Sequence, residues 1–248
     1  MAKKKIIATA AIKGGTGKTT TAAAIAQLAA QEGKKVLCID LDPQANLTDF
    51  LGGDPEQDGS YDALEGEIAS DCIQTTEQGI DLMAGRSDLQ SERSRPGSAM
   101  RLQEAIKPLR KKYDLIIIDT PPQMGELTFN ALQASDGLLI PLETDRSSLQ
   151  GLYQITDIAK QIKETNSKLS VIGCLLTRYD SRSKLNRYLH DVISDACDEI
   201  GTDLIGTIRP GIAIREAQSM QQSLYDYAPK SKPADDYRLL YEQYIEEA

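Results

Sequence analysis

The stretch Ile12-Lys13-Gly14-Gly15-Thr16-Gly17-Lys18-Thr19-Thr20 decides the fold; it follows the apolar run Lys5–Ala11 and leads into an alanine-rich segment. Glycines in such a loop let successive backbone N–H groups turn inward around a phosphate. The lysine after the last glycine reaches the outer phosphates, and the hydroxyl after it ligates Mg²⁺. A strand before the loop and a helix after it complete the arrangement, because a helix N-terminus turns unpaired N–H groups and a positive dipole end toward the anion. The full pattern Gly-x-x-x-x-Gly-Lys-Thr asks for glycine at position 12, where Ile12 stands. Gly17-Lys18-Thr19 is intact, and a second lysine, Lys13, guards the loop entrance. Lys13, Gly14, Gly15, Thr16, Gly17, Lys18, Thr19 and Thr20 therefore read as a nucleotide-phosphate site, with Thr19 toward the metal.

Outward from the loop, strand-like runs recur at Val36–Leu41, Ile80–Met83, Leu115–Asp119, Gly137–Leu142, Ser170–Leu176 and Leu204–Ile208. Several are apolar on both faces, as strands covered by helices on both sides must be. Helices are expected at about 17–32, 98–111, 124–134, 148–165, 183–199 and 234–247. The alternation predicts an α/β fold: one doubly wound, mostly parallel sheet flanked by helices on both faces, as in P-loop nucleoside triphosphatases, with 1–248 as a single domain. Gly52–Ser60 and Arg93–Ser98 read as surface loops within it.

Composition narrows the function classes. The 248 residues are 40% hydrophobic and 26% charged, and no run approaches the length of a membrane span. A chain this long buries about 70–75% of its unfolded surface and needs no staple. Cys38, Cys72, Cys174 and Cys197 are scattered without metal-ligand spacing, and Cys38 and Cys174 fall in strand-like runs as buried thiols. A reducing, cytoplasmic setting is expected. The net charge of −9 restricts any nucleic-acid contact to a local patch.

The run Leu115-Ile116-Ile117-Ile118-Asp119 delivers a carboxylate to the carboxyl edge of the sheet, where nucleotides bind in doubly wound folds. Asp119 is thus expected to hold Mg²⁺ through water. Behind it, Thr120-Pro121-Pro122-Gln123-Met124-Gly125-Glu126 combines restricted prolines with a permissive glycine. A γ-phosphate can order or release such a segment.

Lysine at the loop entrance followed by Gly-Gly-x-Gly-Lys-Thr-Thr resembles the deviant Walker A loop of the ParA/MinD ATPases. Asp40-Leu41-Asp42-Pro43-Gln44 resembles that family's switch I, and Asp119-Thr120-Pro121-Pro122 its switch II. The resemblance implies ATP and Mg²⁺ as cofactors, ATP hydrolysis, and a homodimer that closes over two nucleotides. It also assigns roles. Lys13 would reach the phosphates of the other protomer, Lys18 those of its own. Asp42 would position the attacking water and join Thr19 and Asp119 around the metal, with Asp40 contributing to the Mg²⁺ shell. Thr177, Arg178, Arg209 and Pro210 would flank the adenine, although this chain reads Ile208-Arg209-Pro210 where relatives often have Ile-Pro-x.

Within the family the ParA type fits best, implying ATP-dependent binding to DNA without sequence preference and activation by a ParB-like or other adaptor. Cargo would be a plasmid, a chromosome or a protein assembly, and the protein would be nucleoid-associated. Arg182, Lys184, Arg187, Arg215, Lys230 and Lys232 are the DNA-contact candidates. No helix-turn-helix segment precedes Lys5, so operator binding is not expected. Two alternatives stand beside this reading. A MinD-like membrane-associated ATPase is weakened by the acidic end Asp235–Glu247, since anionic lipid attracts basic amphipathic helices. A P-loop synthetase or kinase would need a second substrate pocket, and the lone His190 reads as structural.

Overall fold

The computed structural model describes residues 5–91 and 97–246. Positions 1–4, the 93–96 part of the expected loop, and position 247 at the end of the last expected helix lie outside the described residues. In chain order the elements are β1 (Lys5–Thr9), α1 (Lys18–Gln31), β2 (Val36–Asp40), α2 (Asn46–Leu51), α3 (Ser60–Glu65), β3 (Gln74–Thr75), β4 (Asp81–Met83) and α4 (Arg101–Ile106). There follow β5 (Leu115–Asp119), α5 (Glu126–Ala134), β6 (Gly137–Leu142), α6 (Arg146–Thr165), β7 (Ser170–Leu176), α7 (Lys184–Ile200), β8 (Leu204–Thr207), α8 (Ala213–Ser219), α9 (Leu224–Tyr227) and α10 (Lys232–Tyr244).

The strands form one eight-stranded sheet in the order β3-β4-β2-β5-β1-β6-β7-β8. Every pairing is parallel except β3 with β4, which is antiparallel and two residues long. Alternation along the strands sorts the core into two layers. Ile6, Leu37, Ile39, Ile116 and Ile118 face α4, α5, α6 and α7. Ile7, Val36, Cys38, Leu115 and Ile117 face α1, α2, α9 and α10. This is the physical content of runs apolar on both faces: each odd and even position has its own helix layer to bury against. The expected doubly wound sheet is the observed one.

Boundaries of the long elements agree with expectation within a few residues, and three differences are informative. The helix expected over 98–111 is broken into a 3-10 turn at Ser98–Met100, the short α4, and a second 3-10 turn at Leu109–Lys111. Pro108 carries no N–H with which to continue the helix. The end of the Gly52–Ser60 loop is not on the surface: Ser60 is buried and its hydroxyl donates to the Met83 carbonyl. Gly59 is required there, because a Cβ would lie 2.2 Å from the Ala84 carbonyl oxygen. Short helices α2, α3, α8 and α9 fill stretches with no expected element. The C-terminal helix packs on the core, as expected, through Tyr237, Leu240 and Tyr241, all nearly inaccessible. Among the described residues all four cysteines are buried free thiols, and no helix is long and apolar enough to cross a membrane.

β1 sits where the strand order reverses, with β5 and then β2 on one side and β6 on the other. The loop that follows β1 therefore opens at the crevice where doubly wound sheets bind ligands.

Candidate functional site

The loop from Lys13 to Gly17 connects β1 to α1 at that crevice. Gly17 has φ of 89°, and a Cβ on it would come within 3.1 Å of Thr177 Cγ2 at the end of β7. Backbone conformation and space both demand glycine there. The Thr177 hydroxyl donates to the Thr16 carbonyl at 2.8 Å, tying the loop to β7. Lys18 is 6% exposed, and its ammonium reaches back to the Lys13 carbonyl at 3.4 Å. Burial lowers its pKa, while the charges of Asp119 and Asp42 oppose that shift. Such a cation, desolvated and only loosely held by a carbonyl, is poised for an anion.

Thr19 Oγ1 donates to Asp119 Oδ2 at 2.6 Å. The other Asp119 oxygen accepts from the Thr120 N–H at 3.1 Å and from the Thr9 hydroxyl at 3.3 Å. Asp119 is fully buried; burial first, then the nearby Asp40 charge, pushes its carboxyl upward, against the Thr19 hydrogen bond and the Lys18 charge. A divalent cation at this point reverses that balance. Among the described residues no group of three or more His, Cys, Asp or Glu converges on a metal. Thr19 and Asp119 are the residues here that could hold a Mg²⁺, with phosphate and water as the further oxygen donors such a site would use.

Asp40 and Asp42 behave differently. Asp40 Oδ2 accepts from both the N–H and the hydroxyl of Thr48, and Oδ1 from the Asp42 N–H. Its oxygens hold the bend between β2 and α2. Asp42 is 7% exposed, and its Oδ1 accepts the Gln44 N–H at 3.0 Å. It borders a groove of about 580 Å³ shared with Pro121, Pro122, Gln123 and Gly125, so both candidate switch segments meet there.

Lys13 does not follow Lys18 inward. Its ammonium is gripped by Glu143, at 2.8 Å, and by Asp145, both just past the end of β6. The bonds to Asp145 and then Glu143 raise the Lys13 pKa. Burial works against Asp145, yet the Lys13 ammonium, the Ser147 hydroxyl and the Ser148 N–H hold its carboxyl well below the usual carboxylate range. The second Glu143 oxygen binds the Arg178 guanidinium at 2.9 Å. Arg178 stands at φ of 52°, a left-handed position, and lines a cleft beside the loop.

That cleft, about 710 Å³, brings together Gly17, Thr20, Thr177, Arg178, Arg209 and Pro210 from the expected set. Arg209 is braced by Asp236, whose carboxylate accepts its guanidinium at 2.7 Å and its N–H at 2.8 Å. Arg215, placed with the DNA contacts by resemblance, lines this same cleft with Gln218. The remaining candidates surround the start of α7. Arg182 is largely exposed and bidentate to Asp180, at 2.9 and 2.8 Å. Arg187 donates to the Ser181 carbonyl at 2.6 Å, and Lys184 is the first residue of α7. Lys232 lies close enough to help Arg182 lower the Asp180 carboxyl to about 2. Lys230 precedes it on an exposed turn.

Sequence reasoning missed Glu143, Asp145, Asp236 and Gln218. For the first two the signal was available: β6 ends in acidic residues at the carboxyl edge, the argument that singled out Asp119.

Comparison with known proteins follows the same lines. A family model described as an AAA domain matches residues 4–171. The chromosome-partitioning ATPase Soj of Thermus thermophilus is 34% identical over 245 residues, 98% of this chain and 96% of that protein. Among solved structures, the cobyrinic acid a,c-diamide synthase of Mycobacterium smegmatis with bound ADP and magnesium is 32% identical with a TM-score of 0.78, over 95% of this chain and 91% of that one. The septum site-determining protein MinD of Pyrococcus horikoshii, complexed with Mg-ADP, is 27% identical with a TM-score of 0.82, over 98% and 97%.

Proposed function

The chain belongs to the ParA/MinD family of P-loop ATPases, and on that premise we propose that it runs an ATP-gated dimer cycle on DNA. The observation that carries the reading is the divergence of the two loop lysines: Lys18 is buried inside the loop, while Lys13 is held outside it by Glu143 and Asp145.

The loop N–H groups and Lys18 bind the phosphates of ATP, and the cleft walls at Thr177, Arg178, Arg209 and Pro210 flank the base. Thr19 and Asp119 would hold Mg²⁺, which would supply positive charge to offset that of the phosphates. Asp42 orients the attacking water from switch I. Lys13 leaves its two carboxylates and reaches the nucleotide of the other protomer, which makes dimerisation depend on the γ-phosphate. The closed dimer then contacts DNA phosphates through the basic start of α7, Arg182, Lys184 and Arg187, with Lys230 and Lys232 beside it. A ParB-like or other adaptor accelerates hydrolysis and returns the protein to a monomer.

Light scattering with a non-hydrolysable ATP analogue tests the central step. Wild type is expected to dimerise and Lys13→Ala to remain monomeric while still binding nucleotide; a Lys13→Ala dimer of unchanged affinity would overturn the role in trans. Sedimentation with plasmid DNA and with anionic vesicles at several salt concentrations separates the DNA reading from the membrane alternative. Binding to DNA and not to vesicles, strengthened by ATP and fading with salt, is the expected result.

A further inference from the structure

The sheet has a second charged edge. Opposite the phosphate loop, the amino ends of β2 and β5 open on a groove of about 520 Å³ lined by Lys34, Lys35, Lys111, Lys112 and Tyr113. The two lysine pairs are distant in sequence, and parallel pairing brings them together: Val36 lies opposite Leu115, and the Lys35 carbonyl accepts the N–H groups of Asp114 and Leu115 at 2.8 and 3.3 Å. β1 continues the same edge, since Lys5 is in register with Leu115.

Asp81 also lines the groove, and its carboxylate and that of Asp114 are hydrogen-bonded to neighbouring donors. Asp81 accepts the Thr75 hydroxyl at 2.6 Å and the Tyr113 hydroxyl at 2.7 Å, and Asp114 accepts the Lys35 N–H at 3.0 Å. Lys34 is paired to Glu32 at 3.0 Å, and the side chains of Lys35 and Lys112 are exposed to solvent. In a chain of net charge −9, this is a local concentration of cations on a face remote from the nucleotide crevice.

The chemistry of the lining selects the occupant. Val36 and Tyr113 are buried, at 2% and 8% exposure, and among the described residues no large exposed apolar side chain borders the groove. Protein interfaces are depleted of lysine and are built around apolar or aromatic anchors. A phosphodiester backbone needs no such anchor, only cations that displace its counterions. From β4 to β1 the edge covers three strand spacings, about 14 Å. Over that length duplex DNA presents on the order of eight phosphate charges.

We propose that this amino-edge groove is a second polyanion site that binds the phosphate backbone of nucleic acid without requiring nucleotide, through Lys35 and Lys112 with Lys111 beside them. It is separate from the ATP-dependent contact at α7 and stands or falls independently of it. The site is built from the ends of β2 and β5, away from both candidate switch segments, so no ATP-driven rearrangement is needed to form it.

The test measures binding of the nucleotide-free full-length protein to a fluorescent 30-base-pair duplex across a salt series. Wild type is expected to bind weakly at low salt. Lys35→Gln/Lys112→Gln is expected to bind more weakly, with the log–log salt slope shallower by about two units, roughly 0.9 for each phosphate no longer neutralised. Lys160→Gln/Lys163→Gln, on α6 and outside both proposed surfaces, should leave the nucleotide-free salt slope unchanged. Both lysines are exposed, and a circular-dichroism melt verifies that the variant is folded. No nucleotide-free binding by wild type at about 50 mM salt, or an unchanged slope in the lysine variant, overturns the proposal. So does polyglutamate competing at concentrations equal in charge to DNA, which would identify the site as one for an acidic protein segment.

Discussion

The two edges of the sheet carry charge in opposite styles. At the carboxyl edge, Lys18, Asp40, Asp42 and Asp119 are almost wholly buried, within an atomic arrangement fixed by Thr48, Thr9 and Thr177. At the amino edge, Lys35 and Lys112 stand in water on a shallow groove. Buried charge in a low-dielectric setting gives strong, geometry-dependent interactions; exposed charge gives weak, additive, salt-screened ones. One edge is suited to recognising a small anion of fixed shape, the other to a long polyanion of no fixed register. Lys13 belongs to the first edge by position but to an intermediate class by environment, since its ion pairs are about one-third exposed on the lysine side.

Substitutions should separate these styles by the size of their effects. Asp42→Ala comes first: its ATP turnover should drop by about a hundredfold or more in a phosphate-release assay while the ATP-bound dimer persists. Normal turnover in that variant removes Asp42 from the water-positioning role. Lys18→Ala removes a desolvated cation from a preformed anion site, and ATP affinity is expected to fall about thirtyfold or more by titration calorimetry, roughly 2–5 kcal/mol. A loss below about threefold would break the contrast, because it would make Lys18 equivalent to a surface charge. Glu143→Gln loosens Lys13 from a partly exposed clamp, so ATP-dependent dimer affinity should rise, by at most about fivefold. An unchanged or weaker dimer would mean that the clamp does not compete with the role in trans proposed for Lys13.

The smallest effect belongs to the exposed pair at α7. Arg182 lowers the Asp180 carboxyl to about 2, so the pair is fully formed above the ordinary carboxylate pKa and is lost only as pH falls through about 2. Lowering the pH from about 8 to about 5 should therefore not release Arg182, since both values lie above the ordinary aspartate range. Asp180→Asn does release it, and ATP-dependent DNA binding is expected to strengthen about twofold at low salt. A pH response in wild type that Asp180→Asn abolishes would contradict this assignment.

Much of the fold was legible because its long elements report their own environment. β1, β2, β5 and β6 are apolar at successive positions, and each such run found a helix layer on both faces. The short elements did not announce themselves. β3 is two residues long, and α8 and α9 are held by packing around Ala217, Leu224 and Tyr225 rather than by any periodic pattern of their own. The phosphate loop and Asp119 were legible because spacing and strand-end position fix them locally. The partners of Lys13 were not, since Glu143 and Asp145 lie 130 and 132 residues away and only the β1–β6 neighbourhood brings them in. The place of Arg215 in the cleft wall was not legible either, since it depends on how the segment around α8 folds back.

The ends of the sheet bear on how the protein behaves in concentrated solution. β3 offers a two-residue antiparallel edge, too short to template another strand, and β8 is a four-residue edge with α10 packed beside it. Short, covered edges suppress strand-by-strand growth between molecules. Higher-order assemblies of this chain should accordingly form by stacking of loops and helix faces, remain soluble on dilution, and show no cross-β signature.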